Sequence, residues 1–253
     1  MELDVAQPVL LTPGEDEGEA VVDQPRRTLR ILFSHELLDV TWTRHEGGER
    51  GAEPHVHREH ADAFYVLEGE LTFRVGPELE RVTAAAGTFV AVPPNVVHGF
   101  DNDSSERACF LNFHSPSTGF ADYLRGSGRF DSFDPPADGG RPAAEAIVSP
   151  PGAGERVRSH RVKAELPHLS AIELAFEPGW EGVDPHVHSD HVDSFFVLEG
   201  AADFLGGRAG PGTFVAAAPC VVHGFQIAEG CDRLAIFNVH APDSGFAGRL
   251  RRR

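Results

Sequence analysis

Lysine is almost missing from this chain: Lys163 is the only one, and every other basic residue is an arginine. A single amine, in a segment (RVKAEL) with nothing reactive beside it, leaves almost no candidate for Schiff-base chemistry. Cysteine is scarce as well. Cys109, Cys220 and Cys231 are odd in number and never in CxxC spacing, so they read as reduced thiols of a cytoplasmic protein, not as a disulfide framework. No long apolar run occurs, and the opening MELDVAQPVLLTPGEDEGEA has no basic start, so neither a signal peptide nor a membrane span is expected. Positive charge is also short: 22 basic groups face 39 acidic ones, a net charge of −17, which argues against nucleic acid and anionic membranes as partners.

What is present in quantity is glycine and proline, 27 and 19 of the 253 residues, as many short strands joined by tight turns would need. The chain also repeats itself. PHVHREHADAFYVLEGE (residues 54–70) recurs as PHVHSDHVDSFFVLEGA (185–201), with an offset of 131. AAGTFVAVPPNVVHGF (85–100) recurs as GPGTFVAAAPCVVHGF (210–225), at an offset of 125, so the first copy carries six extra residues where a hairpin loop tolerates them. LNFHSPSTGFADYLR (111–125) recurs as FNVHAPDSGFAGRLR (237–251). A long internal repeat implies two similar domains.

Thr28–Phe33, Leu37–Thr43 and Leu71–Val75 are short apolar or alternating runs that suit strands better than helices. The first domain is read as 1–125, with 1–18 as an N-terminal arm. Residues 126–144, rich in Gly, Pro and Asp, form a linker in which the aromatic FDSF could pin to one domain. The second domain is read as 145–253, with Glu145–Val148 as the counterpart of Glu19–Val22, each opening its unit as a first strand. The closing RLRRR reads as a solvated tail, or as a basic patch for acidic surface on another subunit.

The repeated histidines carry the chemistry. Residues i and i+2 of a strand share a face, roughly 6.5–7 Å apart, so His55 and His57 can aim at one point, and His186 and His188 likewise. Imidazoles placed so can supply adjacent ligands to a divalent metal at about 2.0–2.2 Å. A turn then brings in Asp62 and Asp193, with Phe64 and Phe195 as an apolar wall. His98 and His223 are the obvious fourth ligands. Three neutral imidazoles and one carboxylate suit iron, manganese, nickel, copper or zinc, one divalent transition metal per domain. His60 and His191, in the turn between ligands, read equally as support behind a ligand or as exposed turn residues. His114 and His240 read as structural hydrogen-bonding residues, Cys220 as a small buried thiol.

With these residues in place the chain resembles the cupin superfamily, and its repeat resembles a bicupin. The first cupin motif is G-x5-H-x-H-x(3,4)-E-x6-G. His55, His57 and Gly69 fit it, as do His186, His188 and Gly200, but Asp62 and Asp193 stand where glutamate is usual. The second is G-x5-P-x-G-x2-H-x3-N. Gly87, Pro93, His98 and Asn102 fit, with Asn95 in place of the second glycine; Gly212 and His223 fit, while Ala218, Cys220 and Ile227 depart. The resemblance implies an all-β fold of two tandem jelly-roll (double-stranded β-helix) barrels with short C-terminal helical segments.

Among bicupins the layout resembles quercetin 2,3-dioxygenase-like proteins. That implies an iron- or other metal-dependent dioxygenase, an oxidoreductase acting with O2 on a small apolar or aromatic substrate, flavonol-, enediol- or catechol-like. Asp62 and Asp193 would then be catalytic base or metal ligand. The alternatives are a non-catalytic metal or small-ligand binding cupin, or a cupin isomerase or hydrolase for a small polar or sugar-like substrate. The latter should need more polar side chains in the strands than Arg74 alone. The first domain, whose second motif is more complete, is expected to be the more active. Two joined units already resemble a dimer of single cupins, so a homodimer is compatible with the sequence but not required.

Overall fold

The structure, a computed structural model, describes residues 7–127 and 145–252. It is built almost wholly of short antiparallel strands and divides into two compact units, each with the same plan. The N-terminal unit runs from Glu19 to Gly154. Its larger sheet has seven strands, in the order Ile147–Ser149, Phe89–Val92, Ala61–Glu68, Ala108–Ser115, Leu38–His45, Arg27–His35 and Glu19–Gln24. Glu80–Ala85, Glu70–Val75 and His98–Asp101 form a three-stranded second sheet.

The C-terminal unit repeats the seven-stranded order with Val9–Leu11, Phe214–Ala217, Val192–Glu199, Leu234–Ala241, Leu169–Phe176, His160–Leu166 and Glu155–Val157. Its second sheet holds Val183–His186, His223–Ile227, Ala202–Phe204 and Gly207–Ala209. Among the described residues the α-helices are Phe120–Leu124 and Phe246–Arg252, the two segments expected to be helical. Among the described residues no helix is long and apolar enough to cross a membrane.

The domain boundaries differ from the sequence reading at both outer strands. The arm is not an appendage of the first domain: Val9–Leu11 pairs with Phe214–Ala216 and belongs to the C-terminal unit. Conversely, Ile147–Ser149 pairs with Phe89–Ala91 and belongs to the N-terminal unit, so residues 145–148 do not open the second barrel. Glu19–Gln24, read as the equivalent of 145–148, instead pairs with Arg27–Ile31, a role that Glu155–Val157 fills in the other unit. In each unit the exchanged strand covers the same edge, and an uncovered edge strand is a template for unwanted pairing. The FDSF stretch lies outside the described residues.

Each core is the set of inward side chains of its two sheets. In the N-terminal unit Phe64, Phe73, Phe110 and Leu71 are buried together; in the C-terminal unit Val197, Ile236, Phe195 and Phe204 do the same. The motif glycines have a steric reason. Gly69 and Gly200 have φ of 69° and 75°, and a Cβ on either would collide with the carbonyl of Arg107 or Arg233. The usual second-motif glycine sits where the backbone is also left-handed: Asn95 and Cys220 have φ of 66° and 65°. Asparagine tolerates that region, and cysteine does so less readily. Cys220 is exposed there, which corrects its reading as a buried thiol.

Arg251 is no solvated tail residue. It lies in the second helix and pairs with Glu155 and Glu165 of its own unit. Lys163 is buried, with its amine 3.2 Å from Glu173.

Candidate metal centres

His55 and His98 are forty-three residues apart in sequence yet face each other across two chain segments, exchanging backbone hydrogen bonds of 2.9 Å in both directions. His186 and His223 are paired opposite each other in the same way. This register brings the late histidine of the repeat to the HxH pair. The acid arrives on a neighbouring strand, with Asp62 directly opposite His114 and Asp193 opposite His240.

The outcome is two four-residue clusters. One nitrogen or oxygen from each of His55, His57, Asp62 and His98 lies within 4.8 Å of all the others, and the same holds for His186, His188, Asp193 and His223. His55 and His57 bring their Nε2 atoms to 3.1 Å, His186 and His188 to 3.2 Å. Two nitrogens bound at right angles to one metal would be about 3 Å apart. Asp62 Oδ2 is 3.1 Å from His98 Nε2 and 3.7 Å from His57 Nε2; Asp193 Oδ2 is 3.4 Å from His223 and 3.7 Å from His188. The missing methylene therefore does not keep the shorter acid from the cluster.

Backbone carbonyls set the tautomers. His55 Nδ1 donates to Glu53 O (2.6 Å), His98 Nδ1 to Val96 O (3.0 Å), His186 Nδ1 to Asp184 O (2.8 Å) and His223 Nδ1 to Val221 O (2.9 Å). With Nδ1 carrying the proton, Nε2 presents a lone pair to the cluster centre, the form that a metal takes. Nε2 of His223 is buried with no well-formed hydrogen bond among the described residues, a cost that a bound cation would offset.

Electrostatics agree with that donor set. Burial, reinforced by His98, lowers His55 to a pKa of about 3, and burial also lowers His186. At His223 burial pulls down, but the Asp193 carboxylate prevails and the pKa is raised. Burial alone would raise Asp62 and Asp193. The histidines around them outweigh it, His114 and His240 foremost, and hold both acids well below the usual carboxylate range. An ionised carboxylate set among three imidazoles gives each cluster the donor set of a divalent ion.

Two asparagines behind the acids escape a reading of the sequence. Asn112 Nδ2 donates to Asp62 Oδ1, and Asn238 Nδ2 to Asp193 Oδ1 at 2.6 Å; each also bonds the next carbonyl, Ala63 O or Ser194 O. They recur at equal places in the repeat (LNFH and FNVH), which was the available signal. His114 donates from Nε2 to Asn112 Oδ1 (2.8 Å), and His240 Nε2 lies 3.1 Å from Asp193 Oδ1. Both thus serve as hydrogen-bonding residues beside the acid. His60 and His191 are buried, not exposed turn residues; His60 bonds His114 Nδ1 (3.0 Å), and His57, His60 and His114 also converge as a three-histidine group.

The cavities differ. His186, His188 and Asp193 open into a space of about 790 Å³ walled by Phe176, Trp180 and Phe225. His55, His57 and Asp62 open into only about 320 Å³. The N-terminal ligands are buried throughout, whereas His186 and His188 are partly exposed. Access therefore favours the second unit, the reverse of the ranking that motif completeness gave.

Residues 41–114 match the sequence profile of the cupin domain. The fold is a tandem pair of cupin barrels. Protein Ylba from Escherichia coli is similar over 95% of this chain and 94% of its own, with a TM-score of 0.68 at 12% identity. A variant of oxalate decarboxylase from Bacillus subtilis superposes with a TM-score of 0.62 at 13% identity, covering 96% of this chain and 78% of its own. The E. coli pirin YhhW, solved in complex with nickel(II), gives 0.60 at 14%, covering 93% and 99%. At such identities the likeness concerns the bicupin fold. No curated protein sequence gives a significant match.

Proposed function

We propose that this chain is a metal-dependent dioxygenase for a small apolar or aromatic substrate with an acidic hydroxyl, flavonol-, enediol- or catechol-like, and that turnover takes place in the C-terminal barrel. The observation that carries this reading is the 790 Å³ cavity, in which an aromatic wall meets the His186–His188–Asp193 cluster. Its volume lies in the usual range for small-molecule sites.

Within that cavity Trp180 stacks on Phe176 at 3.9 Å, with Phe225 5.4 Å from Trp180. These rings offer a flat substrate a face to lie on. His186, His188 and His223 present Nε2, and Asp193 presents Oδ2, to the point where the substrate hydroxyl would arrive. Asp193, ionised and with Oδ1 held by Asn238, offers Oδ2 as the fourth ligand. A divalent transition metal held by these four residues would supply Lewis acidity toward the hydroxyl oxygen and redox reactivity toward dioxygen. The neighbour that holds nickel(II) supports a transition metal but does not select among iron, manganese, nickel, copper and zinc.

The test is metal analysis of the purified full-length protein, followed by oxygen uptake with flavonols, catechols and enediols. Uptake that depends on the bound metal is expected. Bound metal with no uptake on any of these substrates would sink the oxygenase and leave a metal- or ligand-binding cupin.

A further inference from the structure

The two barrels hold their ligand clusters alike but differ in one strand row beside them. At the shared offset of 131, the inward positions of one strand are Thr41, Thr43 and His45 in the N-terminal unit and Ile172, Leu174 and Phe176 in the C-terminal unit. All six are buried. A row that is wholly apolar in one copy is wholly polar in the other, and all three polar residues line the 320 Å³ cavity.

His45 is the odd member of that row. It is 0% exposed, packed between Phe100 (6.0 Å) and Phe110 (5.5 Å), and neither Nδ1 nor Nε2 has a hydrogen-bond partner among the described residues. Buried polar groups are almost always paired, and an imidazole unpaired at both nitrogens calls for something to satisfy it. Directly across the strand pair stands Arg27, which lines the same cavity. Its Nε is likewise buried and unpartnered, and among the described residues no carboxylate pairs with it, although Arg26, Arg74, Arg107 and Arg125 of the same unit all have one. In a chain of net charge −17, an unpaired guanidinium facing a cavity is a place kept for an anion.

We infer that the N-terminal cavity binds a small carboxylic acid, its carboxylate gripped by the Arg27 guanidinium and the His45 imidazole, beside the His55–His57–Asp62 cluster. The cavity is at the small end of ligand sites and suits a small acid better than a flavonol-sized substrate. Planar arginine donors match a carboxylate two bonds at a time, and the threonine hydroxyls of the row can serve a further oxygen. The assignment does not rest on the oxygenase reading, and loss of oxygen uptake would leave it standing.

The probe is malonate, with the neutral isostere malonamide as control. Both are titrated calorimetrically into the full-length protein, metal-stripped and zinc-loaded, with free zinc removed beforehand. Malonate binds and malonamide does not. Arg27→Gln and His45→Phe each weaken malonate binding by about tenfold or more, the loss of one charge-assisted contact. His45→Phe installs the residue that the C-terminal barrel carries at this place. Should it fail to fold, His45→Gln and the partly exposed Arg27→Gln make the same comparison. Absence of malonate binding in both metal states, equal binding of malonamide, or wild-type affinity in the variants would overturn the assignment.

Discussion

Asn238 and Asp193 share a buried hydrogen bond of 2.6 Å that pins one carboxylate oxygen and leaves the other turned toward His188 and His223. Groups behind a ligand commonly contribute about 10–100-fold in metal affinity. Asn238→Ala should therefore weaken metal binding at the C-terminal cluster by that order, read by competition with a chelating dye. Wild-type affinity would mean that His240, 3.1 Å from the same oxygen, holds the acid unaided.

The two cavities make a second prediction. His223→Ala should abolish oxygen uptake on aromatic substrates, and His98→Ala should leave most of it. Each variant should retain about half of the wild-type metal content, since each removes one ligand from one cluster. Oxygen electrode and elemental analysis decide it. Loss of uptake in His98→Ala alone would return the activity to the N-terminal barrel, where the motif pattern had placed it.

Buried histidines also make the metal-free protein sensitive to acid. Burial, with Arg27 adding to it, lowers His45 to about 4, and burial lowers His55 to about 3. Both lie below the ordinary value of about 6.5. Between about 6.5 and those folded values the unfolded chain takes up protons that the folded chain refuses. This stabilisation is complete above about pH 6.5 and is lost as the pH falls through that window. Asp62 and Asp193, held low, add a further loss only below the ordinary carboxylate range near 3.8. Urea midpoints of the stripped protein should fall steadily from about pH 7 to pH 5, and His45→Phe should flatten the slope by about one proton. An unchanged slope would show that the His45 ring protonates inside the fold.

Much of the site was legible because the repeat doubled every signal. His55, His57, Asp62 and His98 come together as their spacing implied, and so do their counterparts. Asn112 and Asn238 were not read, because an asparagine on an apolar strand gains meaning only once the carboxylate opposite is known. His45 was invisible for another reason: it repeats as phenylalanine, so the comparison that exposed the ligands hid it. Cavity size depends on side chains from many strands, and motif completeness does not report it. The exchange of edge strands was hidden too, since Val9–Leu11 and Ile147–Ser149 are only three residues each. A strand that short carries its pairing partner nowhere in its own pattern.

That exchange gives the last prediction. Val9, Leu10 and Leu11 lie against Ala216, Val215 and Phe214, and Leu10 packs on the C-terminal core. The strand they cover also pairs with the one bearing Asp193, with Ala217 opposite the acid itself. Deleting residues 1–12 uncovers that edge and exposes apolar area from three half-buried side chains, a loss on the order of 2–4 kcal/mol. The loss should be confined to the C-terminal unit. Hydrogen exchange at Phe214–Ala217 should quicken and the cluster there should bind metal less tightly, while Phe89–Val92 stays protected. Ile147→Asp, at the equivalent edge of the N-terminal unit, should do the converse, loosening Phe89–Val92 and the His55–His98 cluster. If the arm were a mere appendage of the first domain, its deletion would leave Phe214–Ala217 as slow to exchange as in the intact chain.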